Sequence, residues 1–198
     1  MHVTEILTLA ADEVAADPTS PAGLAAAEAR VCLDADELEL TLDVLAELDG
    51  GTARFWELLA DAADQMYLER TRRWCLWRRY ESINGVIRAE LSLLPPSAGG
   101  RSQAVPGDGV LRPMWNLTLD PAAAKPALHT ARIWVEHAPE IEPGSKGTIR
   151  LAPLMPEHWR HLSSGAVITM HERAPVAGSA TIVEISPSVP TRPAGVLP

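Results

Sequence analysis

Few clusters in this sequence carry residues able to do chemistry. The densest is "ERTRRWCLWRRY", where Arg70, Arg72, Arg73, Arg78 and Arg79 are interleaved with Trp74, Trp77 and Tyr80. Cations for phosphates and flat rings for bases are the ingredients of a single-stranded nucleic-acid surface. Cys75 lies among these arginines, which would lower a thiol pKa if it faced them, although a buried structural thiol is the simpler reading. Five of the six histidines fall between His129 and His171, and "HWRH" pairs His158 with His161. Two imidazoles on one turn can reach one metal ion, with Glu157 or His171 as candidate third ligands, but loop histidines on a surface explain the same spacing. The segment "PGSKGT" places Lys146 before Gly147, the reverse of the phosphate-loop order, so no nucleotide site is expected. No GxSxG elbow, HExxH or paired CxxC is present, so neither catalytic residue, metal nor cofactor is assigned and the chain leans away from being an enzyme.

The elements that must carry these residues change character near position 85. Before it the apolar spacing is helical. A first amphipathic helix covers about residues 3–16. Ser20-Pro21 opens an Ala-rich second helix to about Val31. Asp34 with Glu37 reads as an acidic capping box ahead of Leu38, Leu42, Leu45 and Leu48, which Asp49-Gly50-Gly51 ends. Thr52 caps one long helix over about 53–83, roughly 45 Å at 1.5 Å per residue, stopped by Asn84-Gly85. At 100° steps, Met66, Tyr67, Trp74 and Trp77 fall on one side and Leu68, Cys75, Leu76 and Ile83 on the other, with arginines all around. A helix apolar on two sides is clamped between neighbours, and its arginines pair with acids along the edges. That reading is preferred to exposed RNA contact.

Beyond Gly85 the period is two. "VIRAELSLL", "RPMWNLTL", "TARIWVE", "GTIRLA", "AVITMHE" and "SATIVEI" are six short alternating segments separated by Pro and Gly, the pattern of an antiparallel barrel or sandwich. The expected class is α+β: an acidic all-α domain over 1–85, a six-stranded antiparallel β-barrel over 86–186, and a Pro-rich flexible tail over 187–198.

The order of motifs in the second half resembles the C-terminal β-barrel, the third domain, of bacterial translation elongation factor Tu. The residues that carry the likeness are "LSLLPPSAGGR", the Arg-Pro strand "LRPMWNLTL", "IEPGSKGTIRL", "LSSGAVITMHE" and "VAGSATIVEI". They cover about residues 86–186. Ser102-Gln103-Ala104 stands where the family has His-Thr-Pro, and Leu111 where it has an aromatic residue. The resemblance implies that residues 96–115 form a loop inside the barrel rather than a linker. It also implies a binding module without the family's GTPase, with contact to a protein or to tRNA. Gly99, Gly100, Arg101 and Arg112 are its candidate binding residues, joined by Arg72, Arg73, Arg78 and Arg79 if the helix is exposed.

Charge refines the partner. Residues 1–69 hold sixteen acids against two arginines, a net charge of −14, while residues 70–198 hold fifteen bases against ten acids, a net charge of +5. Such asymmetry marks an acidic interaction surface or two regions of opposite charge that face each other. What the resemblance implies, a translation-factor-like barrel carrying an acidic helical domain, makes a non-catalytic binding or adaptor protein the expected function. The alternatives are an immunity or antitoxin protein neutralising a basic partner, and a tRNA- or RNA-binding factor. With two cysteines, no basic leader and no long apolar run, a cytoplasmic protein without a membrane partner is expected.

Overall fold

The computed structural model describes residues 1–117, 128–172 and 175–187. The expected flexible tail lies outside them, apart from Pro187. The chain divides into two compact units, Met1–Ile83 and Asn84–Pro187, a boundary two residues before the one read from the sequence. It is an α+β protein with five N-terminal helices and a C-terminal closed antiparallel six-stranded barrel.

The helical unit consists of α1 (Val3–Val14), α2 (Pro21–Asp34), α3 (Leu38–Ala46), α4 (Ala53–Gln65) and α5 (Glu69–Asn84). Three N-termini carry side-chain caps. His2 and Glu5 form a capping box on α1, Ser20 accepts from the Gly23 amide ahead of α2, and Thr52 accepts from the Phe55 amide ahead of α4. Such caps satisfy amides that no helical carbonyl can reach. The apolar stripes of the helices meet in one core containing Ile6, Leu7, Ala26, Ala29, Leu42, Leu45, Phe55, Trp56, Leu59, Ala63 and Cys75. Phe55 and Trp56 pack edge to face with centroids 4.9 Å apart. Burial pushes the Cys75 thiol up to about 12, so it is a structural thiol and not a reactive one.

Two sequence expectations are corrected here. The long helix over 53–83 is two helices, α4 and α5, broken at Met66-Tyr67-Leu68. The Tyr67 amide donates to Asp64 O and the Leu68 amide to Ala63 O (2.9 Å), while Tyr67 has φ 60°. This is the Schellman helix stop, normally signalled by glycine. The end of α2 repeats it: Asp36 has φ 60°, and the Glu37 amide donates to Cys32 O. The Asp34–Glu37 capping box does not form, because Asp34 is the last residue of α2 and Glu37 caps α3 without a side-chain hydrogen bond. The break at Tyr67 also resets the phase of the apolar residues. Tyr67 is almost fully exposed, and Leu76 and Ile83 are exposed as well, while Cys75 and Trp77 are buried.

A left-handed tyrosine costs roughly 1–2 kcal/mol relative to glycine. Tyr67→Gly removes this cost without removing packing, so it is expected to stabilise the helical unit by about 1 kcal/mol. Urea unfolding followed by the helical circular-dichroism signal checks it.

The second unit contains β1 (Val86–Leu93), β2 (Val105–Pro106), β3 (Met114–Asn116), β4 (Leu128–Val135), β5 (Glu140–Ile141), β6 (Lys146–Pro153), β7 (Val167–His171) and β8 (Val176–Ser186). Six of them close in the order β1-β6-β4-β3-β7-β8, and β8 pairs back to β1, so no edge is left open. Every segment read from alternation supplies a strand of this barrel, with Thr118 and Leu119 of the second segment lying outside the described residues. The small pair β2–β5 lies outside it, and the sequence reading did not include it. The alternating residues converge inside: Ala89, Leu91 and Leu93 from β1, Trp115 from β3, Ile133 and Val135 from β4, Ile149 and Leu151 from β6, and Ile168 and Met170 from β7. A fully buried side chain of this size contributes roughly 2–3 kcal/mol. Residues 96–115 lead from β1 into β3, whose first two residues are Met114 and Trp115, and contain a 3-10 turn (Pro96–Ala98) and β2, so the segment belongs to the barrel unit.

Candidate functional site

The arginine-rich helix α5 is a paired element. Arg72 bonds Asp64 (3.0 Å), Arg73 bonds Glu69 one turn earlier (2.9 Å), and Arg79 lies 3.6 Å from Glu57. Each of these arginines is more than a third exposed. Such pairs contribute little to stability, but they hold the guanidinium groups along the helix. Arg78 differs: it is buried with only 6% of its surface exposed. Its guanidinium lies 5.1 Å from the Trp56 ring and 5.3 Å from the Trp74 ring. It donates to the carbonyls of Leu48 and Asp49, and Glu81 stands 3.5 Å from its Nε. Glu81, itself 3% exposed, accepts from the Trp77 indole at 2.8 Å. Arg78 thus latches α5 to the turn after α3 and is not available to an outside ligand. The remaining arginine of this segment, Arg70, is exposed.

The barrel loop has the same inward character. Gly99 has φ 84°, a left-handed value that favours glycine. A Cβ on Gly100 would sit 2.0 Å from Leu94 O, so only glycine lets the two backbone segments approach. Arg101 folds back on this turn. Its Nε donates to Gln103 O at 3.0 Å, another nitrogen donates to Ala104 O at 3.4 Å, and the group forms an ion pair with Glu172. Burial holds its guanidinium below the ordinary range. Gly99, Gly100 and Arg101 therefore build the loop. Arg112 is exposed beside β3.

The structure adds a cluster that the sequence reading missed. Arg88 on β1 and Arg150 on β6 are direct cross-strand partners, an arrangement that like charge disfavours. The Glu136 side chain, 7% exposed, resolves it. It accepts from Arg88 at 2.8 and 3.1 Å and from Arg150 at 2.6 Å, and Arg88 also donates to Glu184 at 3.1 Å. Burial works against ionisation of Glu136, but the hydrogen bonds from Arg88 and Arg150 outweigh it and hold the carboxyl below its usual range. No short motif marks this cluster, because its members lie on β1, β6, β8 and just after β4.

The histidines also group differently from "HWRH". His158 meets His129 of β4, with Nδ1 atoms 2.9 Å apart and ring centroids at 4.6 Å. His161 instead directs Nε2 to Leu117 O at 3.3 Å. His171 is buried and bonds Thr169 at 2.9 Å. Among the described residues, no group of three or more His, Cys, Asp or Glu side chains is placed to hold a metal ion, so neither Glu157 nor His171 completes such a set. No described helix is long and apolar enough to cross a membrane.

An open cleft in the helical unit is lined by Asp36, Glu37, Leu38, Glu39, Leu40 and Met66. Its apolar residues Leu38 and Met66 pack onto the core beneath, and its three carboxylates come from the turn between α2 and α3 and from α3's first turn. Asp36, the left-handed residue after α2, and Met66, the C-cap of α4, both line this cleft. No family model and no curated protein matches the chain.

Proposed function

We propose that this protein is a non-catalytic binding or adaptor protein, in which the acidic helical unit engages a basic partner and a barrel resembling the third domain of elongation factor Tu provides a second unit without a nucleotide engine. The carboxylate-rimmed cleft with an apolar floor, within a segment of net charge −14, carries this reading. Apolar contact supplies affinity there, and the carboxylates supply steering and selection for positive charge. An immunity or antitoxin protein that neutralises a basic toxin is the specific form this function takes if the partner is toxic on its own. A tRNA- or RNA-binding role is the weaker reading, because Arg78 is buried and Arg72, Arg73 and Arg79 already face carboxylates.

The test is affinity capture with the full-length chain in lysate of its native host, repeated with Glu37→Lys/Glu39→Lys and with Arg112→Glu. The expected result is a basic protein, released by salt and lost from the Glu37/Glu39 variant. Loss only from Arg112→Glu would move the binding surface to the barrel. A nuclease-sensitive complex would replace the protein partner with RNA. Capture unaffected by salt and by both variants would overturn the proposal.

A further inference from the structure

We propose that His129 and His158 form a two-imidazole site for a divalent transition metal of the copper(II) or nickel(II) type, with water or an external ligand in the remaining positions. The two rings are positioned by the barrel itself. His129 stands on β4 opposite Trp115 of β3. His158 lies in the 3-10 turn Pro156–Trp159, whose Trp159 is 2% exposed and packs edge to face on Trp115 at 6.5 Å. The next turn is held by Leu162, which is buried in the same core. One anchored tryptophan contact therefore presents His158 to His129, so little ordering remains for a ligand to impose.

The spacing selects the metal class. Metal–imidazole bonds of about 2.05 Å to two nitrogens 2.9 Å apart subtend about 90° at the ion. That is the cis angle of square-planar or octahedral coordination, favoured by copper(II) and nickel(II), and it is narrower than the tetrahedral angle of zinc. The competing use of the same geometry is a proton shared between the rings.

The experiment titrates the full-length chain with copper(II) or nickel(II) alone by calorimetry near pH 7.5. His2→Ala serves as the background, because His2 is the only histidine of the helical unit. A single equivalent is expected to bind. His129→Gln or His158→Gln should weaken it at least about tenfold, and His137→Gln should leave it unchanged. Frozen-solution electron paramagnetic resonance of the copper form gives a readout that does not depend on these variants folding, with coupling to two imidazole nitrogens expected. Absence of a bound equivalent, coupling to fewer than two nitrogens, or an affinity unchanged from the His2→Ala background in correctly folded His129→Gln and His158→Gln proteins would overturn the site and leave the pair sharing a proton.

Discussion

Replacing Arg78 with alanine is expected to destabilise the helical unit by about 3–5 kcal/mol, the largest effect of any single substitution in that unit's polar residues. The change removes a guanidinium that lies near the Trp56 and Trp74 rings and donates to the carbonyls of Leu48 and Asp49. It also takes away the cation that stands 3.5 Å from Glu81, a carboxylate only 3% exposed. Lysine would keep the charge but not the planar fork that serves two carbonyls and two rings at once, so Arg78→Lys should recover less than half of the loss. Arg73→Ala is the contrast. Its pair with Glu69 is exposed and local, and its removal should change stability by no more than about 0.5 kcal/mol. Urea unfolding monitored by helical circular dichroism ranks the three. A small effect at Arg78 would mean that it is not the latch of α5.

The second large effect is expected at Glu136. Glu136→Gln keeps the shape of the side chain but removes the charge that reconciles Arg88 with Arg150. At pH 7 the barrel should lose about 3 kcal/mol. The pH dependence gives an independent check. A carboxyl with a folded pKa below its ordinary 4.5 contributes stability that is present above pH 4.5 and lost as pH falls through the depressed folded value. Wild type and Glu136→Gln should therefore differ most near neutrality and converge in acid, once Glu136 of the wild type is protonated. Glu184, also held below its ordinary range by Ser186 and Arg88, is present in both proteins. A constant difference across pH would show that Gln fails for reasons of packing and not charge.

The surfaces are legible in the sequence to different degrees. Alternation identified all six barrel strands, because a closed sheet buries one face of every strand and so imposes a period of two. The caps at Ser20 and Thr52 were equally plain, since a hydroxyl before an apolar run has few other uses. The stops at Asp36 and Tyr67 were hidden. A left-handed residue is announced by glycine, and here aspartate and tyrosine adopt it because the following Glu37 and Leu68 amides gain carbonyl partners. Missing the second stop fused α4 with α5 and put Tyr67 on an apolar face, when it stands in solvent. The candidate binding residues fared similarly. Their types were visible, but whether a guanidinium faces a ligand or its own chain depends on contacts with Asp49, Trp56 or Glu172.

The sequence by itself determined the class of this protein: an acidic helical unit followed by an antiparallel β unit, with the change at Gly85. It did so because periodicity and charge are local properties of the chain. The tertiary structure alone decided which polar residues meet. Arg78 with the Asp49 carbonyl, Glu136 with Arg88 and Arg150, and His129 with His158 are joined across 14 to 48 positions of chain. Such pairings follow from strand register and helix packing, in which a shift of one residue exchanges an inward side chain for an outward one.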